Sequence, residues 1–349
     1  MVIQQIMTQV KSDLSSGRLA RGGKLPVRDD LVKYYGVSKS TVQKVFAALE
    51  KEGYIVSRGS RGTFVNPKSP DRTDVAVILP AGSRESTGNT FYAQFERERG
   101  TLDHLTGKHF RLFYVDDMRF KEDDFMNLAQ DVRDMKFYGA IFAFAPRQWM
   151  FEPFLKYDIP VAALTDEEFP QISTVWVDYS DLLYKMLEEC RNSGCTRPAL
   201  LSQTTVPYHH IADCMKRAAE LGIEIPDHQI WGLSAEHSSG EWLKHSIRAL
   251  FSHETAPDAL LLLDEKFLLP AYSALLELGK IPGKDIRLIS QRTFPGSMLA
   301  PEPVTFIGFD LHEIVRSCLR ALDSLAAGNP PANKFELLKA VQTISKKKG

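Results

Sequence analysis

Seven residues near the N-terminus, 38–44, gather most of the groups that can read a polynucleotide. They hold the hydroxyls of Ser38, Ser40 and Thr41, the cations Lys39 and Lys44, and the carboxamide of Gln43. Lysines reach phosphates or guanine edges, a carboxamide pairs with adenine, and hydroxyls serve either partner. That chemistry needs the groups at the start of a helix, because the first turns of a recognition helix enter the major groove. The spacing provides such a helix. Ser38 is a good N-cap, and Val42, Val45, Phe46 and Leu49 recur on one face behind it. Lys39, Ser40, Gln43 and Lys44 lie off that apolar stripe.

The flanking elements are those that would position this helix. Ile3, Ile6, Val10 and Leu14 predict a first helix that Gly17 stops. A turn over 22–26 leads to a second apolar pattern, Leu31, Val32 and Tyr35, which Gly36 breaks. Two helices joined by a short Gly turn match helix-turn-helix geometry. Behind them, a strand over 53–57, a tight turn over 58–62 and a returning strand over 63–65 predict a β-hairpin. Arg58, Arg61 and Gly62 stand at its tip, where glycine permits φ > 0 and close approach to a backbone. Such a hairpin is a wing.

Charge supports the same assignment. Residues 1–70 hold 12 Lys/Arg and 5 Asp/Glu, whereas the remainder of the 349-residue chain holds 31 and 39. A basic head on an acidic body suggests a nucleic-acid-binding module joined to something else.

Taken in order, Gly17, Leu19, Leu25, Pro26, Leu31, Gly36, Val37, Ser38, Thr41, Val42, Leu49, Glu52, Gly53 and 62–65 resemble the winged helix-turn-helix of GntR-family transcription regulators. The resemblance implies an α+β head over residues 1–66 that binds double-stranded operator DNA. Three positions depart from the family pattern. Val27 replaces the usual Ser or Thr cap of the second helix, Asp29 stands where Arg is frequent, and Gln43 replaces a frequent Arg. A phosphate contact from the second helix therefore passes to Arg28.

Residues 67–74 carry two prolines and no apolar side chain, and are expected to be a linker. From 75 onward apolar strands alternate with helical patterns. Strands are predicted at 75–79, 111–115, 140–145, 161–164, 199–202, 260–264, 287–290 and 305–308. Helices are predicted at 125–135, 182–191, 212–221, 242–251 and 270–278. This alternation implies parallel sheets covered on both faces, and residues 75–349 are long enough for two lobes. Ligands of open α/β sheets sit outside the carboxyl ends of the strands. Phe91, Tyr92 and Trp149 fall at strand-to-helix junctions, where they either stack on a ligand ring or pack in the core. Asp166 and Asp264 can accept from ligand hydroxyls, and Asp264 also reads as a helix N-cap.

This body resembles the effector domain of LacI/GalR-type repressors, which has the two-lobed fold of type I periplasmic binding proteins. The matching positions are 89–92, 159–161, Val177, Asp178, 257–264, Ala274, Leu275, Gly279, Ile281, Pro282, Asp285, Ile286, 308–310 and a helix over 319–328. The resemblance implies a sugar or sugar derivative as effector and a homodimer as the assembly. By it, His210 stands where the family has a sugar-binding Arg, and Arg292 stands near a usual Asp. There is no Asn-x-x-Ala hinge helix.

Other chemistry is not indicated. No H-E-x-x-H or G-x-S-x-G pattern occurs, the adjacent His209 and His210 point apart on a helix, and neither metal nor cofactor is expected. The four cysteines form no C-x-x-C and read as idle cytosolic thiols. No apolar run approaches the ~18 residues that cross a bilayer. The expectation is a cytoplasmic, non-enzymatic transcription regulator of the repressor type, without membrane contact. The alternative is a GntR-type head on a PLP-binding aminotransferase-like body.

Overall fold

The computed structural model describes residues 2–15, 19, 23–66, 73–81, 90–115, 123–133, 137–203, 208–233, 240–296, 303–329 and 336–342. The proposed linker falls largely outside them, at 67–72. Its last residue, Asp74, is not linker but the first residue of a strand.

The head comprises α1 (Val2–Ser15), α2 (Arg28–Tyr35), α3 (Lys39–Lys51), β1 (Ile55–Ser57) and β2 (Thr63–Val65). Gly36 ends α2 at φ +63°, a left-handed conformation that other residues adopt at a cost. The apolar stripe of α3, Val42, Val45, Phe46 and Leu49, is buried against Ile6, Met7 and Val10 of α1. Leu25, Tyr54, Ile55 and Val65 complete that core. The segment expected as a plain turn also joins the hairpin. Leu25 N–H donates to Thr63 O at 2.9 Å and Val65 N–H to Gly23 O at 2.8 Å.

The first lobe is a six-stranded sheet. Its strands are β3 (Asp74–Pro80), β4 (His109–Val115), β5 (Phe137–Phe142), β6 (Val161–Leu164), β7 (Ser173–Val177) and β13 (Glu336–Leu338), in the order β13-β7-β6-β5-β3-β4. All its pairs are parallel. Val75, Val77 and Leu79 enter one core and Ala76 and Ile78 another, so both faces are covered as a parallel sheet requires. The covering helices include α4 (Thr90–Thr106), α5 (Asp123–Arg133) and α6 (Gln148–Lys156).

The second lobe repeats the plan. α7 (Tyr179–Asn192) leads into β8 (Pro198–Gln203), α8 (Tyr208–Glu220), β9 (Ile230–Leu233), α9 (Gly240–Ser252), β10 (Ala259–Leu262), α10 (Leu268–Glu277), β11 (Arg287–Phe294) and β12 (Thr305–Asp310). β14 (Val341–Gln342) adds to one edge, giving the order β14-β12-β11-β10-β8-β9. After β12 the chain returns to the first lobe, where α11 (Leu311–Ala326) packs on β5, β6 and β7.

The chain thus passes between the lobes three times, from β7 to α7, from β12 to α11 and from β13 to β14. Two of these crossings are bonded side by side. Asp178 N–H donates to Leu338 O at 2.9 Å, and its carboxylate accepts from Asp181 N–H at 2.9 Å and from Lys339 Nζ at 2.7 Å. Asp181 in turn accepts from Ala340 N–H at 2.8 Å and from Lys185 Nζ at 2.7 Å.

Several elements differ from the sequence expectation. The strand expected at 140–145 runs from Phe137 to Phe142, with Gly139 inside it at a point where the register against β3 shifts between Asp74 and Val75. A Cβ at Gly139 would fall 2.7 Å from Leu322 Cδ1, so the glycine lets α11 approach the sheet. The strand expected at 287–290 continues to Phe294, since β12 pairs with it as far as Asp310. The strand expected at 260–264 stops at Leu262, and Asp264 instead caps a short 3-10 turn, Glu265–Phe267. All four cysteines are buried, and burial pushes the Cys214 and Cys318 thiols up to about 12. No helix of the described residues is long and apolar enough to cross a membrane.

Candidate nucleic-acid interface and interlobe site

Ser38, Lys39, Ser40, Gln43 and Lys44 emerge on the exposed side of α3, opposite its buried stripe. The hydroxyls are engaged in starting the helix. Ser38 Oγ accepts from Thr41 N–H at 3.2 Å and lies 2.9 Å from Ser40 Oγ and 2.8 Å from Thr41 Oγ1. Gln43 and Lys44 project from the same side, without an ion pair to Lys44 among the described residues.

The cations at the margins of this face are positioned by neighbours. The Arg28 guanidinium lies 5.3 Å from the Phe46 ring centroid and that of Arg58 lies 5.0 Å from Phe64. Lys39 Nζ lies 2.8 Å from Asp29 Oδ1, and this ammonium holds the Asp29 carboxyl below the usual carboxylate range. The wing closes through Arg58 N–H to Gly62 O at 2.9 Å, with Arg61 exposed in the turn Gly59–Arg61. Gly62 has φ +105°, and a Cβ there would lie 2.7 Å from Lys24 Cε. Lys24 is therefore a further cation beside the wing. Its position in a supposed turn concealed it from sequence reasoning.

The second site forms around Tyr179, the first residue of α7 after the crossing. Its ring centroid lies 6.0 Å from those of His210 and Phe309 and 6.2 Å from Trp176. His210 Nδ1 is 2.9 Å from Ser180 Oγ. Enclosure pushes the Tyr179 phenol up to about 12, and the charges of Asp264 and Asp166 add to the effect. These two carboxylates come from opposite lobes. Asp166 is exposed just beyond β6, and Asp264 lies just beyond β10 with 14% of its side chain exposed. Asp264 accepts from Lys266 N–H at 3.0 Å and from the Gln203 amide, yet burial still raises its pKa. The site thus lies outside the carboxyl ends of strands in both sheets. Sequence reasoning singled out Asp166, His210 and Asp264 but missed Tyr179, Gln203 and Phe309. The available signal for Tyr179 was its place directly after Val177 and Asp178.

The other expected ligand residues are placed differently. Phe91 and Tyr92 meet edge to face at 5.5 Å at the start of α4 and pack on one face of the first sheet. Tyr92 Oη donates to Ala143 O at 3.1 Å. Trp149 packs on the opposite face, in the core with Phe151 and Phe154. Arg292 packs on the other core of the second lobe. Its guanidinium stacks 4.4 Å over Phe306, which belongs to the core under α9 and α10, whereas Phe309 and the α7–α8 residues share another. A Cβ on Gly296 would fall 1.9 Å from Arg292 Nε, so this arginine is folded against its own strand's end.

The architecture defines the class: a winged helix-turn-helix joined to a two-lobed, periplasmic-binding-protein-like α/β domain. Residues 2–65 match the model of the bacterial regulatory proteins of the gntR family, and residues 187–345 match the periplasmic binding protein-like domain. The chain carries the GntR-family domain at its N-terminus and the periplasmic-binding-protein-like domain behind it. Among sequence relatives, the HTH-type transcriptional regulator YurK of Bacillus subtilis is 35% identical over 86 residues, 25% of this chain and 34% of that protein. The arabinose metabolism transcriptional repressor of Geobacillus stearothermophilus is 25% identical over 131 residues, 37% of this chain and 35% of that protein. The matches thus span about a third of these relatives' length.

Solved structures agree on the fold. A LacI-family transcriptional regulator from Arthrobacter sp. FB24, in complex with lactose, has TM-score 0.61 at 17% identity over 78% of this chain and 98% of that one. A LacI-family regulatory protein from Chloroflexus aggregans has TM-score 0.61 at 18% identity over 80% and 99%. The aminotransferase-like alternative for the body is not favoured.

Proposed function

We propose that this protein is a DNA-binding transcription regulator of the repressor type, whose operator binding is controlled by a small molecule held between the lobes. The observation that carries the reading is the joining of two sites in one chain. An exposed polar and cationic helix start stands beside a wing, and a two-lobed domain brings a carboxylate from each lobe to one aromatic cluster. Residues 1–66 supply the DNA interface through Arg28, Lys39, Ser40, Gln43, Lys44, Arg58 and Arg61, with Ser38, Thr41 and Gly62 shaping it. Residues 75–349 bind the effector and make a homodimer, so that two heads read a pseudo-palindromic site.

Carboxylates accept from hydroxyl groups and aromatic faces stack on sugar C–H faces, so Asp166, Asp264, Tyr179 and His210 suit a sugar or sugar derivative. The stacking of Arg292 on Phe306 gives little support to an anionic ligand at this cluster. The related structures bound to lactose and to cellobiose add support for a sugar.

The test is linkage. Effector and operator must change each other's affinity by the same factor. A thermal-shift screen of sugars and sugar acids finds ligands of the native state, which raise Tm. Each hit is then titrated into a fluorescent duplex bound by the full chain. Hits that raise Tm and leave duplex affinity unchanged refute effector control. Sedimentation of the full chain as a monomer at micromolar concentration refutes the dimer.

A further inference from the structure

We propose that Asp29 withholds Lys39 from DNA. This protein then binds its duplex more weakly, and with a shallower salt dependence, than the number of cations on its interface allows. The inference rests on the DNA-binding reading of α3 and asks what sets its strength.

The geometry is direct. Lys39 is the first residue of α3, where a recognition helix meets the groove, and its Nζ lies 2.8 Å from Asp29 Oδ1 on α2. Both side chains remain open to solvent, 76% for Lys39 and 66% for Asp29. An ion pair so exposed contributes little to folding, because water screens it and two mobile side chains must be held. The pair therefore has no evident task in the fold. It does place a negative charge at the position where phosphates must approach. Lys39 can neutralise a phosphate only by leaving Asp29, and the vacated carboxylate then faces the duplex.

A second explanation of Asp29 is local. Val27 occupies the N-cap of α2 and makes no side-chain bond, so acidic residues in the first turn complement the exposed N–H groups. Asp30 stands in the same turn and can meet that need. Arg28 and Lys33 are the other charges on α2. Arg28 lies over Phe46, and Lys33 acts on Asp29 only as a weaker neighbour than Lys39. The close partner of Asp29 is thus Lys39, on the recognition helix.

Counterion release gives the size of the effect. Each phosphate neutralised adds ~0.9 to the slope of log K against log[salt], so a contact worth nothing at ~1 M salt is worth about eightfold at ~0.1 M. The experiment measures binding of the full chain to fluorescent duplexes, specific and random, by anisotropy from about 50 to 300 mM salt. The variants are Asp29→Asn, Lys39→Gln and the double variant. Asp29→Asn is expected to tighten binding to every duplex by about eightfold at ~0.1 M and to steepen the slope by about one. Lys39→Gln alone weakens binding, because it leaves the Asp29 carboxylate unpaired before the phosphates, and in the double variant the gain over wild type disappears. Asp29→Ser is carried in parallel, because serine can accept from the bare N–H groups of α2 and keep the helix intact without charge. Circular dichroism confirms that each variant is folded.

Unchanged affinity in both folded Asp29 variants overturns the proposal, as does a gain that survives whole in the double variant. Lys44→Ala separates this from the reading beneath. Duplex binding that weakens in Lys44→Ala but ignores Asp29→Asn sinks only the proposal. Failure of every protein, wild type included, to bind any duplex at low salt sinks both.

Discussion

Replacing Asp264 by Asn should make the ligand-free protein more stable while abolishing its response to effector. Asp264 is held beyond β10 with most of its side chain enclosed. Burial raises its pKa, and the opposing contacts from the Lys266 N–H, the Lys266 ammonium and the Gln203 amide do not cancel that rise. A carboxylic acid whose folded pKa exceeds its unfolded value of about 3.9 destabilises the native state when charged. The penalty is complete above the folded pKa and vanishes as pH falls toward the unfolded one. Asn has the same shape, its carbonyl can still accept from Lys266 N–H, and Gln203 can turn its amide to accept from the new NH2. The gain should be about 1 kcal/mol, within the ~0.5–2 kcal/mol typical when a strained functional residue is relieved. For a body of this size that is about 2–4 °C in Tm. Scanning calorimetry of wild type and Asp264→Asn from pH 7.5 to about pH 4 tests the sign. The two Tm values should differ most at pH 7.5 and converge on acidification. If the variant is the less stable at pH 7.5, or its advantage does not shrink with pH, the argument from burial fails.

Three further outcomes are expected. Lys44→Ala should weaken binding to all duplexes alike and reduce the salt slope by about one, whereas Gln43→Ala should relax preference at one base pair by ~1–3 kcal/mol; anisotropy against a set of single-base operator variants distinguishes them. Ser38→Ala should cost the head about 1 kcal/mol by stripping the cap of α3, while Ser38→Asp keeps the cap, so hydrogen exchange across 39–44 should quicken in the first variant only. Tyr179→Phe should preserve the ring packing and hence Tm, yet weaken a bound sugar about fivefold to tenfold by calorimetry, since one hydrogen bond contributes ~1 kcal/mol; unchanged affinity would remove the phenol from the site.

The head was legible because its signals are local. Ser38, Gly36 and the stripe Val42, Val45, Phe46 and Leu49 each act within a few residues, and the structure reproduces the helix they specify. What was missed there, the docking of 23–25 onto β2, is a long-range pairing that carries no periodic signature. In the body, fully buried strands such as β3 and β10 announce themselves as apolar runs. β13 and β14 are too short, and too mixed in polarity, to rise above loop composition, and β9 is a four-residue apolar run interrupted by Gly232. The interlobe site was legible where a residue ends a strand, as with Asp166 and Asp264. It was misjudged where spacing alone had to assign a direction. Arg292 was expected just past a strand over 287–290, but β11 continues to Phe294 and carries Arg292 within it, stacked over Phe306.

The crossings between the lobes limit how an effector can act. A ligand shifts an equilibrium only by the difference in its affinity for two states. A molecule bonded to Asp264 alone would bind an open and a closed body equally well. One that bonds Asp166 and Asp264 together gains its second contact only at one interlobe distance, and that contact is the source of any bias. One added hydrogen bond to a charged group contributes ~1.5–3 kcal/mol, which lies in the range of measured allosteric couplings. The paired crossings at Asp178, Asp181, Lys339 and Ala340 must accommodate the change, because their bonds join β7–α7 to β13–β14. Lys339 is 66% exposed, so its bond to Asp178 can be exchanged for water at little cost, whereas the backbone bond from Asp178 to Leu338 cannot. Closure by rotation about this backbone pair, with Lys339 released or retained, is therefore the motion that the covalent path and its hydrogen bonds permit.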